Sequence, residues 1–277
     1  MWTTQGVSGY LQMDFPCEVE LITFPGGEPH VSYISGLEDS QYVTIEARIT
    51  DFNGVGQMLV VVDYIRRTAP GVPIRAYIPY LPGARQDRGA PLTARVYADL
   101  INFCEFQEVI SLDPHSDVMP ALLNNFRGVT QDKLFELFVP HVPGPGRAVL
   151  VTPDVGATKK TEAIAAKYGY QVVIGQKHRD FKTGKLSGFS CAPIPPDMNV
   201  IIVDDICDGG GTFNGLADAI GYHYTNMWLV VTHGIFSKGM FDLSERFGKI
   251  MYTDSFCPSY NSNVIQIDYP KVKELLE

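Results

Sequence analysis

Residues 200–213 read VIIVDDICDGGGTF, and few folds can hold residues in that order. Residues 200–203 form an uninterrupted apolar, β-branched run, as a strand covered on both faces requires. Asp204, Asp205 and Asp208 follow, then Gly209, Gly210 and Gly211, and Thr212 opens a helical pattern. Buried strand, glycine turn and helix start are the repeating parts of an α/β fold with a parallel sheet. Three successive glycines let backbone N–H groups converge without obstruction by Cβ, and the helix start adds partial positive charge. Such a loop can cradle a phosphate. The neighbouring carboxylates would repel that phosphate unless they bind sugar hydroxyls or a divalent cation. The segment lacks the GK[ST] of a Walker A loop and the GxGxxG of a dinucleotide fingerprint.

The same alternation runs along the chain. Residues 57–68 have helix length and stop at Pro70-Gly71, 74–78 read as a buried strand, and 91–103 carry Leu92, Val96, Leu100 and Phe103 at helical spacing. A strand is expected at 109–112, with a polar loop after it. Residues 141–147 (HVPGPGR) can continue neither helix nor strand, so a domain boundary is placed there, giving 1–142 and 143–277. Beyond it strands are expected at 148–152, 171–174, 200–203 and 227–232, with helices at 158–168 and 212–220. Lys177 and Arg179 then fall in a loop after the 171–174 strand. The 277 residues suffice for two such domains, each a mostly parallel sheet flanked by helices.

Charge narrows the partners. A formal net charge of −9 with no basic stripe argues against nucleic acid and against anionic membrane surfaces. No apolar stretch approaches the roughly 20 residues of a membrane helix, and residues 1–20 lack the basic-then-apolar pattern of a signal peptide. Cys17, Cys104, Cys191, Cys207 and Cys257 are odd in number and widely spaced, which argues against a disulfide framework or zinc site. A cytoplasmic enzyme is the expectation. Cys207 lies in the glycine loop without a base beside it. Tyr77, Tyr80, Tyr168 and Tyr170 flank strands and read as packing residues.

Several segments occur together in an order that resembles one family. They are FPGGE at 24–28, RRTAPGVPIRAYIPYLPGARQDR at 66–88, PLTARVYADL at 91–100, SLDPHSD at 111–117, VTPDVGATKKTEAIA at 151–165, KHR at 177–179 and THGIFSKG at 232–239. With the loop at 204–212, these resemble the ribose-phosphate pyrophosphokinases, whose domains are phosphoribosyltransferase-like. The resemblance implies transfer of the β,γ-diphosphoryl group of ATP to the C1 hydroxyl of a ribose 5-phosphate group, releasing AMP. It implies catalytic cations at Lys177 and Arg179, and ATP contacts at Phe24, Glu28, Arg85, Gln86, Asp87 and His115. Mg2+ would be held by His115, Asp154 and the nucleotide phosphates. Asp204, Asp205, Asp208, Gly209, Gly210, Gly211 and Thr212 would bind the ribose-phosphate acceptor. A homo-oligomer is also implied.

The chain departs from the family pattern in places. Pro114 stands where leucine is usual and Gly26 where aspartate is usual. Only Gly89-Ala90 separates Arg88 from Pro91, where relatives carry a longer basic loop. The segment before Phe24 is short and is expected to lack the family's opening strand. Gly209 stands where threonine is usual, removing a hydroxyl donor and leaving space. That space suggests an acceptor larger than ribose 5-phosphate, such as ADP-ribose, giving ADP-ribose pyrophosphate and linking the chain to NAD metabolism. Two other readings remain open: a phosphoribosyltransferase that consumes phosphoribosyl pyrophosphate, and a non-catalytic regulatory homologue.

Overall fold

The computed structural model describes residues 9–13, 17–37, 40–179, 186–256 and 264–275. The chain divides into two compact units, Met1–Val129 and Thr130–Glu277. In the first, the order is β1 (Gly9–Met13), β2 (Glu18–Thr23), β3 (Pro29–Ser35), β4 (Val43–Ile49), α1 (Phe52–Thr68), β5 (Ile74–Tyr77), α2 (Thr93–Phe103), β6 (Glu108–Leu112), α3 (Val118–Leu122) and β7 (Phe126–Val129). The sheet runs β1-β4-β5-β6-β7, with β1 antiparallel and the rest parallel. A separate antiparallel ribbon pairs β2 with β3.

α1 shows how local sequence sets an element. The Asp51 side chain accepts from the Gly54 backbone N–H at 3.1 Å, satisfying one of the orphan donors of the first turn. That cap starts the helix at Phe52, earlier than the apolar periodicity alone suggests. Val55, Met58, Val61, Val62 and Ile65 then bury one face at helical spacing. Each such side chain removed from water contributes about 1.5–3 kcal/mol. β1 lies before Phe24 and pairs antiparallel with β4 at the edge of the main sheet.

The second unit contains α4 (Gln131–Leu134), β8 (Ala148–Thr152), α5 (Thr158–Tyr168), β9 (Gln171–Arg179), β10 (Leu186–Cys191), β11 (Asn199–Cys207), α6 (Gly211–Ile220), β12 (Met227–Gly234), α7 (Phe241–Ser244), β13 (Lys249–Thr253), β14 (Val264–Ile267) and α8 (Tyr269–Glu274). Its sheet runs β10-β9-β8-β11-β12-β13-β14, with only β10 antiparallel. The division between units lies ahead of the proline- and glycine-rich stretch 141–147. α4 accounts for this: Lys167 Nζ and the Tyr168 hydroxyl, both on α5, each donate to the Asp132 carbonyl at 3.3 Å. The Tyr170 hydroxyl likewise donates to the Pro143 carbonyl at 2.8 Å.

Two strands run longer than their apolar cores. β9 continues through Lys177 to Arg179, so these residues lie on a strand and not in a loop after it. β11 continues through Asp204 and Asp205 to Cys207, which leaves 208–210 as the turn into α6. Among the described residues no helix is long and apolar enough to cross a membrane. The described cysteines, Cys17, Cys104, Cys191 and Cys207, are unpaired, and Cys257 lies outside the described residues.

Candidate functional site

In the first unit the loops following β5 and β6 come together, because these strands are parallel neighbours and their carboxyl ends coincide. Asp87 follows β5. It accepts a hydrogen bond from Ser116, which follows β6, and that bond is the chief reason its carboxyl lies below the usual range. Burial opposes the shift, and Arg88 and the charge of His115 add to it. Asp113 anchors the second loop: it is buried, has φ of 36°, and its N–H donates to the Val129 carbonyl at 2.8 Å. That turn presents Pro114 and an exposed His115. Arg85 and Gln86 are exposed beside Asp87. Phe24 and Glu28 sit apart from these loops in sequence, on the β2–β3 turn, where the Phe24 N–H donates to the Glu28 carbonyl at 2.9 Å. The Phe24 ring is 48% exposed, with its centroid 5.3 Å from that of His30.

In the second unit the sheet register places the expected residues on three adjacent parallel strands. Thr152 on β8 pairs with Ile174 on β9, and Val151 with Ile202 on β11. Asp154 just past β8, Lys177 on β9 and Asp204 on β11 therefore share one edge of the sheet. Lys177 Nζ donates to Asp154 Oδ2 at 2.6 Å, and Asp154 Oδ1 accepts from the Ala157 N–H at 3.2 Å. Burial works to raise the Asp154 pKa. Lys177 and the backbone N–H groups of Ala157 and Gly156 outweigh it, so the carboxyl sits below its usual range and is ionised at neutral pH. The Arg179 side chain lies outside the described residues, and only its place at the end of β9 is fixed.

The glycine loop has the expected form. α6 begins at Gly211, with Gly210 before it in the left-handed region at φ of 74°. A Cβ on Gly210 would stand 3.2 Å from Leu243 Cγ, so both backbone and packing call for glycine. Cys207 is buried at the loop's start. Burial, helped by the charges of Asp204 and Asp208, pushes its thiol up to about 12, which leaves it unreactive at neutral pH.

The relatives of this chain agree in kind. A ribose-phosphate pyrophosphokinase of Mesorhizobium japonicum is 28% identical over 216 residues, covering 73% of this chain and 68% of its own. That of Hyphomonas neptunium is 27% identical over 270 residues, covering 92% and 84%. Ribose-phosphate pyrophosphokinase A of Dictyostelium discoideum is 28% identical over 225 residues, covering 77% and 69%. Over most of its length the chain is thus similar to ribose-phosphate pyrophosphokinases. No family model matches it. The crystal structure of phosphoribosylpyrophosphate synthetase from Mycobacterium smegmatis superposes with a TM-score of 0.76 at 20% identity, over 94% of this chain and 89% of that one. The fold is thus that of two tandem phosphoribosyltransferase-like α/β domains.

Four further residues contact the glycine loop and the acidic residues before it. Gln131 Nε2, on α4, donates to the Asp204 carbonyl at 2.7 Å, and Lys160 Nζ, on α5, stands 3.7 Å from Asp205 Oδ2. The Ser237 hydroxyl donates to Asp208 Oδ1 at 2.5 Å, and the Lys238 stem lies over Gly209. Lys160, Ser237 and Lys238 fall inside the quoted family segments, but a linear sequence does not reveal which loop they meet. Gln131 had no signal.

Asp204 differs from its neighbours. Burial, then the charge of Asp205, then that of Asp154 push its carboxyl well above the usual range, against the opposing Asp205 N–H. A proton held there removes repulsion toward a bound phosphate and allows donation to a sugar oxygen. Because its folded-state pKa is raised, Asp204 contributes stability that is lost as pH climbs from the ordinary carboxylate range through the raised value. Asp204→Asn mimics the protonated form. It is expected to melt above wild type at pH 8, with the gap closing toward pH 4. Thermal scans across that range check this, and a gap independent of pH contradicts it.

Proposed function

We propose that the chain transfers the β,γ-diphosphoryl group of ATP to the C1 hydroxyl of a ribose 5-phosphate group, releasing AMP. The C1 oxygen attacks Pβ, the bond from Pβ to the α,β-bridging oxygen breaks, and the hydroxyl proton leaves to solvent or a nearby base. The observation that carries this reading is the single sheet edge that bears Lys177 on Asp154, the Asp204–Asp205 pair and the glycine cradle. Phosphoryl-type transfer needs positioning and cations more than covalent help from protein. Lys177 and Arg179 would supply cations to the transferred group. Arg85, Gln86, Asp87, Phe24 and Glu28 would bind ATP, and residues 208–212 the 5-phosphate, with Asp204 and Asp205 on the ribose hydroxyls.

Mg2+ fits the residues present. Asp154 is an ionised oxygen donor. Among the described residues no group of three or more ligating side chains is assembled, and Mg2+ ordinarily takes one or two carboxylates with substrate phosphates and water. Asp154 would hold it against the nucleotide, where it would neutralise charge on the transferring phosphates, and His115 is the candidate nitrogen donor of the first unit.

The finer reading concerns the acceptor. Gly209 lets the Lys238 stem reach the cradle, bringing a cation that favours a ribose with a larger, charged 5-substituent, ADP-ribose being the simplest case. Purified protein with ATP and Mg2+ is expected to release AMP when given an acceptor, followed by chromatography. Release with ribose 5-phosphate alone sinks the larger acceptor. Diphosphate release from phosphoribosyl pyrophosphate plus a base supports a phosphoribosyltransferase instead. Silence with every acceptor supports a regulatory homologue.

A further inference from the structure

The loop 207–210 is strapped to the turn that follows β12. The Ile235 and Phe236 N–H groups both donate to the Cys207 carbonyl, at 2.9 and 3.1 Å, and Ser237 donates to Asp208. Phe236 has φ of 48°, a conformation a bulky residue keeps only when its surroundings impose it. Its ring meets Tyr252 at 4.9 Å between centroids, nearly perpendicular, and the Gly239 N–H closes the turn on the Phe236 carbonyl at 2.8 Å. The turn is therefore a fixed wall of the cradle.

Lys238 stands on that wall. An ideal Cβ on Gly209 would lie 3.4 Å from Lys238 Cδ, 3.5 Å from Cε and 3.6 Å from Cγ. A Cβ at Gly209 would therefore stand in ordinary contact with lysine methylenes, which corrects the expectation of open space there. A threonine there would add two more heavy atoms beyond Cβ and push the stem away. Lys238 is exposed while Gly209 is half-buried, so the stem leads from the cradle toward solvent. Among the described residues no carboxylate pairs with its ammonium, in a chain of net charge −9. A lysine ammonium carries three donors and suits phosphate oxygens.

We infer that Lys238 is a specificity-determining residue of the acceptor loop, and that it binds a second phosphate on the ribose 5-substituent. This rests on the acceptor reading above. The backbone N–H groups of the loop and of the α6 start hold the first phosphate. A monophosphate ends there, whereas a 5-diphosphate continues toward solvent and meets the ammonium. Gly209 is what allows that approach.

Calorimetric titration of the full chain with ribose 5-phosphate and with ADP-ribose tests it. Lys238→Ala is expected to weaken ADP-ribose about tenfold to a hundredfold, as for loss of one charge-assisted hydrogen bond, and ribose 5-phosphate less than about threefold. Lys238→Arg should keep the preference, and Gly209→Thr should shift it as Lys238→Ala does. Equal weakening of both ligands, no weakening, or no binding of ADP-ribose by wild type overturns the inference. AMP release is measured beside it. A selective binding loss without AMP from any acceptor leaves the inference standing and removes the transfer reading. AMP formation with an unchanged binding ratio does the opposite.

Discussion

Lys177→Ala is expected to lower the rate of AMP release by about a hundredfold to a thousandfold, the usual cost of removing one preorganised charge stabiliser. Lys177 is set on a strand of the central sheet, not on a mobile loop, and its ammonium is held at 2.6 Å from Asp154. If its charge serves the transition state, kcat and kcat/KM fall together while KM for ATP stays near wild type. A rise in KM alone would make it a ground-state contact. The same variant has a second consequence. Without its ammonium, the Asp154 carboxyl loses the main opposition to burial and its pKa rises. In wild type the depressed pKa contributes stability above the ordinary carboxylate range and loses it as pH falls through the depressed value. In Lys177→Ala the acid limb of both melting temperature and Mg2+-dependent activity is expected at higher pH. Lys177→Arg, which keeps a cation but not its geometry, should restore the acid limb more fully than the rate. Matching acid limbs in wild type and Lys177→Ala would break the link between the two residues.

How much of this was legible in sequence depended on whether the signal was local. β8 and α5 were readable to the residue, because an apolar run and a helical pattern each end at a clear stop. β11 was readable only in its apolar part. Aspartate is disfavoured in strands, yet Asp204 pairs with Val231 and Cys207 with Gly234 across β12. Register with a neighbour carried the strand past the point where propensity would end it. β9 was extended likewise, by antiparallel pairing of Lys177 with Phe189 on β10, whose sequence LSGFSC shows little strand pattern. The glycine loop between strand and helix was recognisable because strand, acids, glycines and helix are contiguous. The wall that Ser237 and Lys238 add was not, since it depends on β11 and β12 being neighbours. The empty space expected at Gly209 was wrong for the same reason: a glycine reports the absence of its own side chain, not the presence of another.

Gly210→Val is expected to raise KM for the acceptor about tenfold to a hundredfold while leaving the fold intact. Gly210 is the residue on which the strand-to-helix turn reverses, at φ of 74°. A non-glycine residue there costs about 1–3 kcal/mol, most for a β-branched side chain, and about 1.4 kcal/mol corresponds to a factor of ten. The new Cβ would also press on Leu243, which is itself buried against Phe213 and Leu216 in the second unit's core. The loop can relieve both strains by turning its N–H groups away from a phosphate, since α6 remains anchored by Phe213, Leu216 and Ala217. Binding should therefore suffer more than melting temperature. Gly210→Asn separates the two causes. Its Cβ meets Leu243 as valine's does, but asparagine tolerates the left-handed region. A milder effect for asparagine assigns the loss to backbone strain, and an equal effect assigns it to the Leu243 contact. An acceptor KM unchanged in both variants would mean that the glycine turn does not hold the phosphate.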